Sequence, residues 1–365
     1  MSRSKGLLLT WMCLLLFSGS LQAGKVGNLY QSTVPVTGQD TNERSAAIAT
    51  ALTQVLIKVT GESRLEERPE TRGLLSGASG FVQQYRYEKR SHPSPLPDQA
   101  PVDALYLHVQ FDSNAINEAL RKRGLPVWGD VRPSTLIWLA VEQGAQRYLV
   151  AADSEPGIVT ELREASARRG IPILLPLLDL EDQAALSVAD VWGNFRASVL
   201  KASARYQPDA VLVGRIYRQS DGLWEAAWAF YHDGNSSSWI SSGALSSQVL
   251  AQGLEGTADL LAARFAPIGL SLSGGEFLLR VEAVDSLEDY ARLHRYLGAL
   301  QPIKSLTPDR ITAGEVQFRV TLEGDYRILQ QVIGLTNQLQ PIAAAGGSAS
   351  LEQPILPTLR YRLVQ

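Results

Sequence analysis

The run Thr135 to Val141 (TLIWLAV), apolar at every position after its first, constrains the fold more than any other stretch. A strand that alternates apolar and polar side chains buries one face, whereas a short strand apolar at every position must be covered on both. Covering both faces of a sheet takes helices on each side, so this part of the chain must build an α/β domain. A second buried strand, DAVLVGRIY, is expected at Asp209 to Tyr217. Between the two runs, Ile158, Leu162 and Ala165 place an apolar stripe on a helix from Gly157 to Arg169, stopped by Gly170. A strand at Ile171 to Leu175 and a helix around Phe195 to Tyr206 follow. Trp224, Ala226, Trp228 and Phe230 then alternate along a strand that turns at His232–Asn235, and a short edge strand is expected at Ser238 to Ser241. Leu250, Leu254, Ala258, Leu261 and Phe265 mark a closing helix. Residues 133–268 therefore read as a central α/β domain with a mixed sheet.

The flanking text reads as two smaller α+β units. Between 24 and 132, a strand at Leu29 to Val36 leads to Asp40-Thr41, a capping pair. The helix after it carries Ile48, Ala51, Leu52, Val55, Leu56 and Val59 on one face and stops at Gly61. Weaker helical text from Pro69 to Val82, a strand at Gln83 to Lys89, a proline-rich cluster from Ser91 to Asp98, a returning strand through Leu105, His108 and Phe111, and a helix capped by Asp112 or Ser113 complete it. After a linker at Gly269 to Gly275, residues 276–365 show the order βαββαβ, the ferredoxin-like arrangement. Phe277, Leu279, Val281 and Ala283 form its first strand; Ser286 with Asp289 opens a helix bearing Tyr290, Leu293, Leu297 and Leu300. A short strand near Pro302 to Leu306, strict alternation at Val316 to Leu322, a second helix through Ile328, Leu329, Val332 and Leu335, a soft Ala343-to-Ser350 stretch, and a last strand through Leu359, Tyr361 and Leu363 follow.

The first residues carry an address. Arg3 and Lys5 precede an apolar core from Gly6 to Phe17, interrupted only by Thr10, and small residues lead to Leu21-Gln22-Ala23. Charge, a short apolar core and a small-residue site form a secretory signal, here expected to be cut after Ala23 to release a periplasmic protein. Cys13, the one cysteine of the 365 residues, lies inside that core behind Thr10-Trp11-Met12, which is not a lipobox. Cleavage leaves 342 residues with no cysteine, hence no disulfide, thiolate nucleophile or thiolate metal site. Loss of Arg3 and Lys5 takes the formal net charge from −3 to −5. A mildly acidic chain with no basic run argues against nucleic acid as a partner. No later run is long enough to suggest a transmembrane segment.

The chemistry-bearing motifs are missing. The text contains no HExxH, CxxC, P-loop, dinucleotide fingerprint or GxSxG, and His92, His108, His232 and His294 are not spaced as ligands. No metal, cofactor or catalytic residue is expected. The most suggestive stretch, Leu178 to Phe195, offers Asp179, Glu181, Asp182 and Asp190 beside Trp192-Gly193, after a strand whose carboxyl end would border a ligand crevice. Its carboxylates suit either helix capping or acid/base work. Trp128 and Arg132, in Leu125 to Pro133, suit either packing at a domain joint or an exposed binding lip. Trp128, Arg132, Asp179, Asp190 and Trp192 are thus the candidate binding residues.

Several of these stretches carry a resemblance. RGLPVWGDVRPSTLIWL (Arg123–Leu139), IPILLPLLDLEDQ (Ile171–Gln183), DVWGNF (Asp190–Phe195), DAVLVGRIY (Asp209–Tyr217) and the amino-terminal Val34–Gly61 segment resemble an exported bacterial family catalogued as domain of unknown function 2066. More loosely, Ala202 to Trp228 is similar to the α/β domain shared by the TolB amino-terminal region and the curli-pore lipoproteins. The resemblance implies an envelope protein that binds partners and transfers no catalytic residue. The expectation is a non-catalytic protein that binds or scaffolds an envelope protein or peptide. The alternatives are a periplasmic hydrolase using the Asp179–Asp190 loop and a small-ligand carrier. The address is directly testable: intact-mass analysis of the exported protein should place its first residue at Gly24, and retention of Met1 or a lipid on Cys13 would contradict it.

Overall fold

The computed structural model describes residues 24–92, 102–154, 156–266, 276–322, 326–342, 356 and 358–364. The expected signal, most of the proline-rich cluster, the 269–275 linker and the 343–350 stretch lie outside the described residues. Strand β1 (Gly24–Lys25) opens the amino-terminal domain, followed by β2 (Gln31–Val36) and helix α1 (Thr41–Thr60). The Asp40 carboxylate accepts the amides of Asn42 and Glu43, and Gly61 ends the helix in the left-handed region, as the sequence predicts. Helix α2 (Pro69–Ser76) lies between two short 3-10 turns and leads to β3 (Val82–His92), β4 (Val102–Phe111) and α3 (Ser113–Arg121). The sheet order is β2-β4-β3, all antiparallel. Val34, Val36, Leu107 and Val109 face the stripe on α1, which is buried throughout.

The central domain follows a short β5 (Val131–Arg132) that pairs with β1. It contains β6 (Thr135–Gln143), β7 (Gln146–Leu149), α4 (Pro156–Arg169), β8 (Ile173–Leu174), α5 (Leu180–Ala185), α6 (Val188–Trp192), α7 (Arg196–Ser203), β9 (Ala210–Arg218), β10 (Trp224–His232), β11 (Asn235–Gly243) and α8 (Ser246–Phe265). The apolar run of β6 is buried on both faces: Ile137, Leu139 and Val141 enter the core beneath α4 and α8, while Leu136, Trp138 and Ala140 enter the one beneath α5–α7. The sheet is mixed, ordered β11-β10-β9-β6-β7, with β8 and β9 parallel to β6 on its two sides. Trp228 fills the space between β9 and α8; a Cβ at Gly214 or Gly253 would fall 2.4 Å from its ring, so both positions need glycine. The hairpin strand β7 was not foreseen, and β11 extends over nine residues where the sequence suggested four.

The carboxyl-terminal domain contains β12 (Glu276–Val284), α9 (Leu287–Gly298), β13 (Ile303–Thr312), β14 (Gly314–Leu322), α10 (Tyr326–Gly334), β15 (Leu339–Pro341) and β16 (Thr358–Leu363). It builds the βαββα part of the expected arrangement and then adds a strand. The order is β13-β14-β12-β16-β15, with β16 parallel to β12 and the short β15 outermost. In β12 a register shift lies between Glu282 and Val284, with Ala283 at φ 62°; Val284, not Ala283, therefore takes the buried position. No helix among the described residues is long and apolar enough to cross a membrane.

A buried arginine bridges the first two domains. Arg132 is fully buried, and its guanidinium donates to five carbonyls: Gly129 (2.9 Å), Trp128 (3.0 Å), Lys58 (2.7 Å), Arg169 (3.1 Å) and Gly170 (2.8 Å). Lys58 belongs to the last turn of α1 and Arg169 ends α4, so the cation sits at two helix carboxyl termini, where the carbonyls lack intrahelical partners and the dipole favours positive charge. The guanidinium carbon also lies 4.1 Å from the centre of the Trp128 ring. Gly170, at φ 63°, must lack a side chain: a Cβ there would fall 2.8 Å from the guanidinium and 2.9 Å from Leu29. Arg132→Met strands these carbonyls and should cost about 3 kcal/mol or more, since each unmade buried bond costs about 1–3 kcal/mol before relaxation. Arg132→Lys should recover only part of this, because an ammonium has three donors. Thermal unfolding of the two variants checks the order.

Candidate functional site

A groove of about 1260 Å³ runs between the amino-terminal sheet and the end of α4. Strand alternation makes one wall: the face of β2-β4-β3 turned away from α1 carries Thr33, His108 and Arg86 in one cross-strand row and Gln31, Gln110 and Gln84 in the next. The opposite wall is Glu164, Ala167 and Arg168 of α4, with Gly170 to Pro172. Leu29, Ile57 and Ile171 supply apolar surface.

The lining is predominantly cationic. Lys58, Arg86, Arg90, Arg168 and Arg169 border the groove, against Glu164 and Glu255 as the acidic members. Lys58 borders the apolar stripe of α1 and is almost wholly buried; its ammonium donates to the carbonyls of Gln31 and, at 3.5 Å, Asn28. Burial, reinforced by the charge of Arg132, pulls its pKa from 10.5 down to about 8. His108 lies in the sheet wall with Nδ1 2.8 Å from the Thr33 hydroxyl and Nε2 2.7 Å from the Glu88 carboxylate. Glu88 also accepts from Arg90 at 2.7 Å, and that bond, with His108, holds its carboxyl below the usual range. Arg169 is held inward, donating to Gly61 O at 2.9 Å and pairing with Asp259 of α8, whereas the neighbouring Arg168 is exposed.

None of the five sequence-derived candidates lines this groove. Trp128 and Arg132 are enclosed beside it at the domain joint, so they arrange its walls and present no lip. Asp179 caps α5, accepting the Asp182 amide at 3.0 Å, and receives both terminal nitrogens of Arg205 at 2.7 and 2.9 Å. That guanidinium holds its carboxyl down at about 2. Asp182 is fully buried and accepts from Leu178 N, Arg205 and the Tyr206 hydroxyl. Asp190 closes a capping box with Ser187 on α6, and those bonds lower its pKa. Trp192 is half-buried under the guanidinium of Arg147, 3.9 Å from the ring centre, and beside Tyr217. The crevice was expected at the carboxyl end of the Ile171–Leu175 strand; that strand shrinks to the two residues of β8, paired with Thr135 and Leu136, and further along the same side of β6 its hairpin partner β7 pairs with Ala140 to Gln143. Among the described residues no group of three or more His, Cys, Asp or Glu is placed to hold a metal ion.

Sequence reasoning passed over Lys58, Arg86, Arg90, His108 and Arg168. A signal existed for three of these positions: Lys58 lies between Ile57 and Val59 beside a buried stripe, and Arg86 and Arg90 recur with Glu88 at the strand period. Fold and site together define a multidomain α/β protein with an open basic groove at the joint of its first two domains. The model of a family described as Domain of unknown function (DUF8605) matches residues 23–129, which supply one wall of that groove. A comparison with curated proteins gave no match.

The buried ammonium yields a pH signature. A base whose folded pKa is depressed binds its proton less readily folded than unfolded, so it lowers stability below about 8 and ceases to do so above 10.5. The wild-type protein should therefore gain stability relative to Lys58→Met as pH rises from about 8 to 10.5. Chemical unfolding of the pair across that range measures the difference.

Proposed function

We propose that the protein is a non-catalytic, exported binding or scaffolding factor of the bacterial envelope, whose partner presents an acidic segment to the groove. The observation that carries this reading is the groove itself: about 1260 Å³, open, and bordered by five Lys or Arg side chains against two Glu. Small-molecule pockets are typically smaller, about 300–1,000 Å³, and enclose their ligand. An open basic channel with side-chain donors along a sheet face suits an extended chain bearing carboxylates. The charge–apolar–small order of residues 1–23 supports export. The resemblance to domain of unknown function 2066 and, more loosely, to the TolB and curli-pore α/β domain supports a role among envelope partners. The hydrolase alternative has less support, because Asp179 and Asp190 are each committed to a helix cap and have lowered pKa values. A general acid needs the opposite shift.

The test uses a fluorescent glutamate-rich peptide and the double variant Arg86→Glu, Arg168→Glu. Both side chains are exposed, so the fold should be retained and thermal unfolding should show it. Binding should weaken as salt rises and fall at least about tenfold in the variant, about 1.4 kcal/mol. Binding that ignores the charge reversal, or no binding at low salt, would defeat the groove as the site.

A further inference from the structure

Among the described residues, the edge strands of the three larger sheets are protected, with one exception. Strand β2 carries Pro35 and has Lys58 on the Gln31 carbonyl; β3 has a register shift near Val82 and the charges Arg86, Glu88, Lys89 and Arg90. Strand β7 has four residues, one of them Arg147, and β8 has two. Strand β13 contains Pro308, two register shifts and three charged residues; β15 has three residues and ends at Pro341. These are the devices that stop a sheet edge from recruiting another strand. Strand β11, NSSSWISSG, has none of them: nine residues, no charge, no proline, and an unbroken register with β10 from Trp224–Gly243 to His232–Asn235.

The free backbone groups of β11 follow from its turn. Asp233 and Gly234 both have positive φ, 47° and 76°, as a two-residue type I′ hairpin requires, which makes His232–Asn235 the first hydrogen-bonded pair. Asn235, Ser237, Trp239, Ser241 and Gly243 then spend their amides and carbonyls on β10, and Ser236, Ser238, Ile240 and Ser242 aim theirs outward. A single 3.4 Å contact from the Gln252 side chain meets the Ser242 carbonyl. Apolar surface flanks this edge on both sides: Ile240 is 69% exposed on one face. On the other, Trp239 packs against Gly256 of α8, and Leu260 is exposed one turn further along.

We propose that β11 pairs with β11 of a second copy of this chain, antiparallel about a twofold axis at Trp239. The spacing selects this occupant. About that axis Ser236 opposes Ser242 and Ser238 opposes Ile240, so all four outward residues meet outward residues of the partner strand. Four such pairs exchanging two bonds each give eight hydrogen bonds and leave no outward amide or carbonyl of the strand unpaired. The strand is neutral, so meeting itself sets no like charges in opposition. The two central sheets become one continuous sheet, and the surfaces around Ile240 and Leu260 are covered. This surface is separate from the groove, and neither proposal depends on the other.

Sedimentation of the purified chain 24–365, which holds every described element, reads the result. The expected species is a dimer that dissociates on dilution. Ser238→Pro removes an outward amide without touching the ladder to β10, and Ile240→Lys brings a cation into the pairing register; each should weaken association at least about tenfold. Both should keep the wild-type far-ultraviolet circular dichroism and melting curve. Gln340→Lys, on the exposed part of β15, should leave the dimer intact. A monomer at every concentration overturns the proposal, as does a dimer that both β11 variants leave unchanged. A monomer that captures a foreign strand through β11 overturns the choice of occupant.

Discussion

A single guanidinium, withdrawn from water and bound by five backbone carbonyls, fixes how the first two domains sit against each other. Burying a charge is costly unless its bonds are made, and Arg132 makes them to backbone carbonyls. Its compensation is distributed: carbonyls from the ends of α1 and α4, the face of Trp128, and two helix dipoles. Because those carbonyls belong to different domains, the charge is satisfied only when the domains are docked. Arg169 repeats the arrangement nearby, joining Gly61 to Asp259 of α8.

The same segment reaches the third domain. Gly129 lies so close to Gln301 that a Cβ would fall 2.6 Å from its side chain, Leu335 enters the core containing Trp128 and Phe265, and Val131 packs against the cores of both later domains. Residues 127–132 thus form a joint rather than a linker. The groove is a consequence. With α4 held at its carboxyl end by Arg132, its last turn stands across from the polar face of β2-β4-β3, and Lys58 is drawn inward between them. The depressed pKa of Lys58 follows from that enclosure and from the charge of Arg132 beside it.

Much of the architecture was legible in the text because it rests on local periodicity. The doubly apolar run of β6 announced helices on both faces, and α4–α8 supply them. The caps at Asp40 and Ser286 are legible, and Asp112 is one of the two residues the sequence offers for α3, since a cap is a contact across two or three residues. Ala283 was misplaced because a bulge shifts the alternation by one residue and leaves no compositional mark. Strand β15 went unread because three residues carry too little pattern. The Asp179–Asp190 loop was weighed as capping or acid/base work; its capping bonds and the convergence of Arg205 and Tyr206 on Asp179 and Asp182 belong to tertiary geometry.

The sequence by itself determined the mixed α/β class and the apolar faces of the long helices and strands, because hydrophobic burial at periods of 2 and 3.6 is written along the chain. It also marked Trp128 and Arg132 as residues to explain. Only the tertiary structure decided what they do. Five carbonyls gathered from positions 58, 128, 129, 169 and 170 have no sequence signature, because every residue has a carbonyl and the chain alone does not say which ones converge. For the same reason the basic groove was invisible: Lys58, Arg86 and Arg168 are ordinary charged residues until packing brings a helix end and a sheet face together around them.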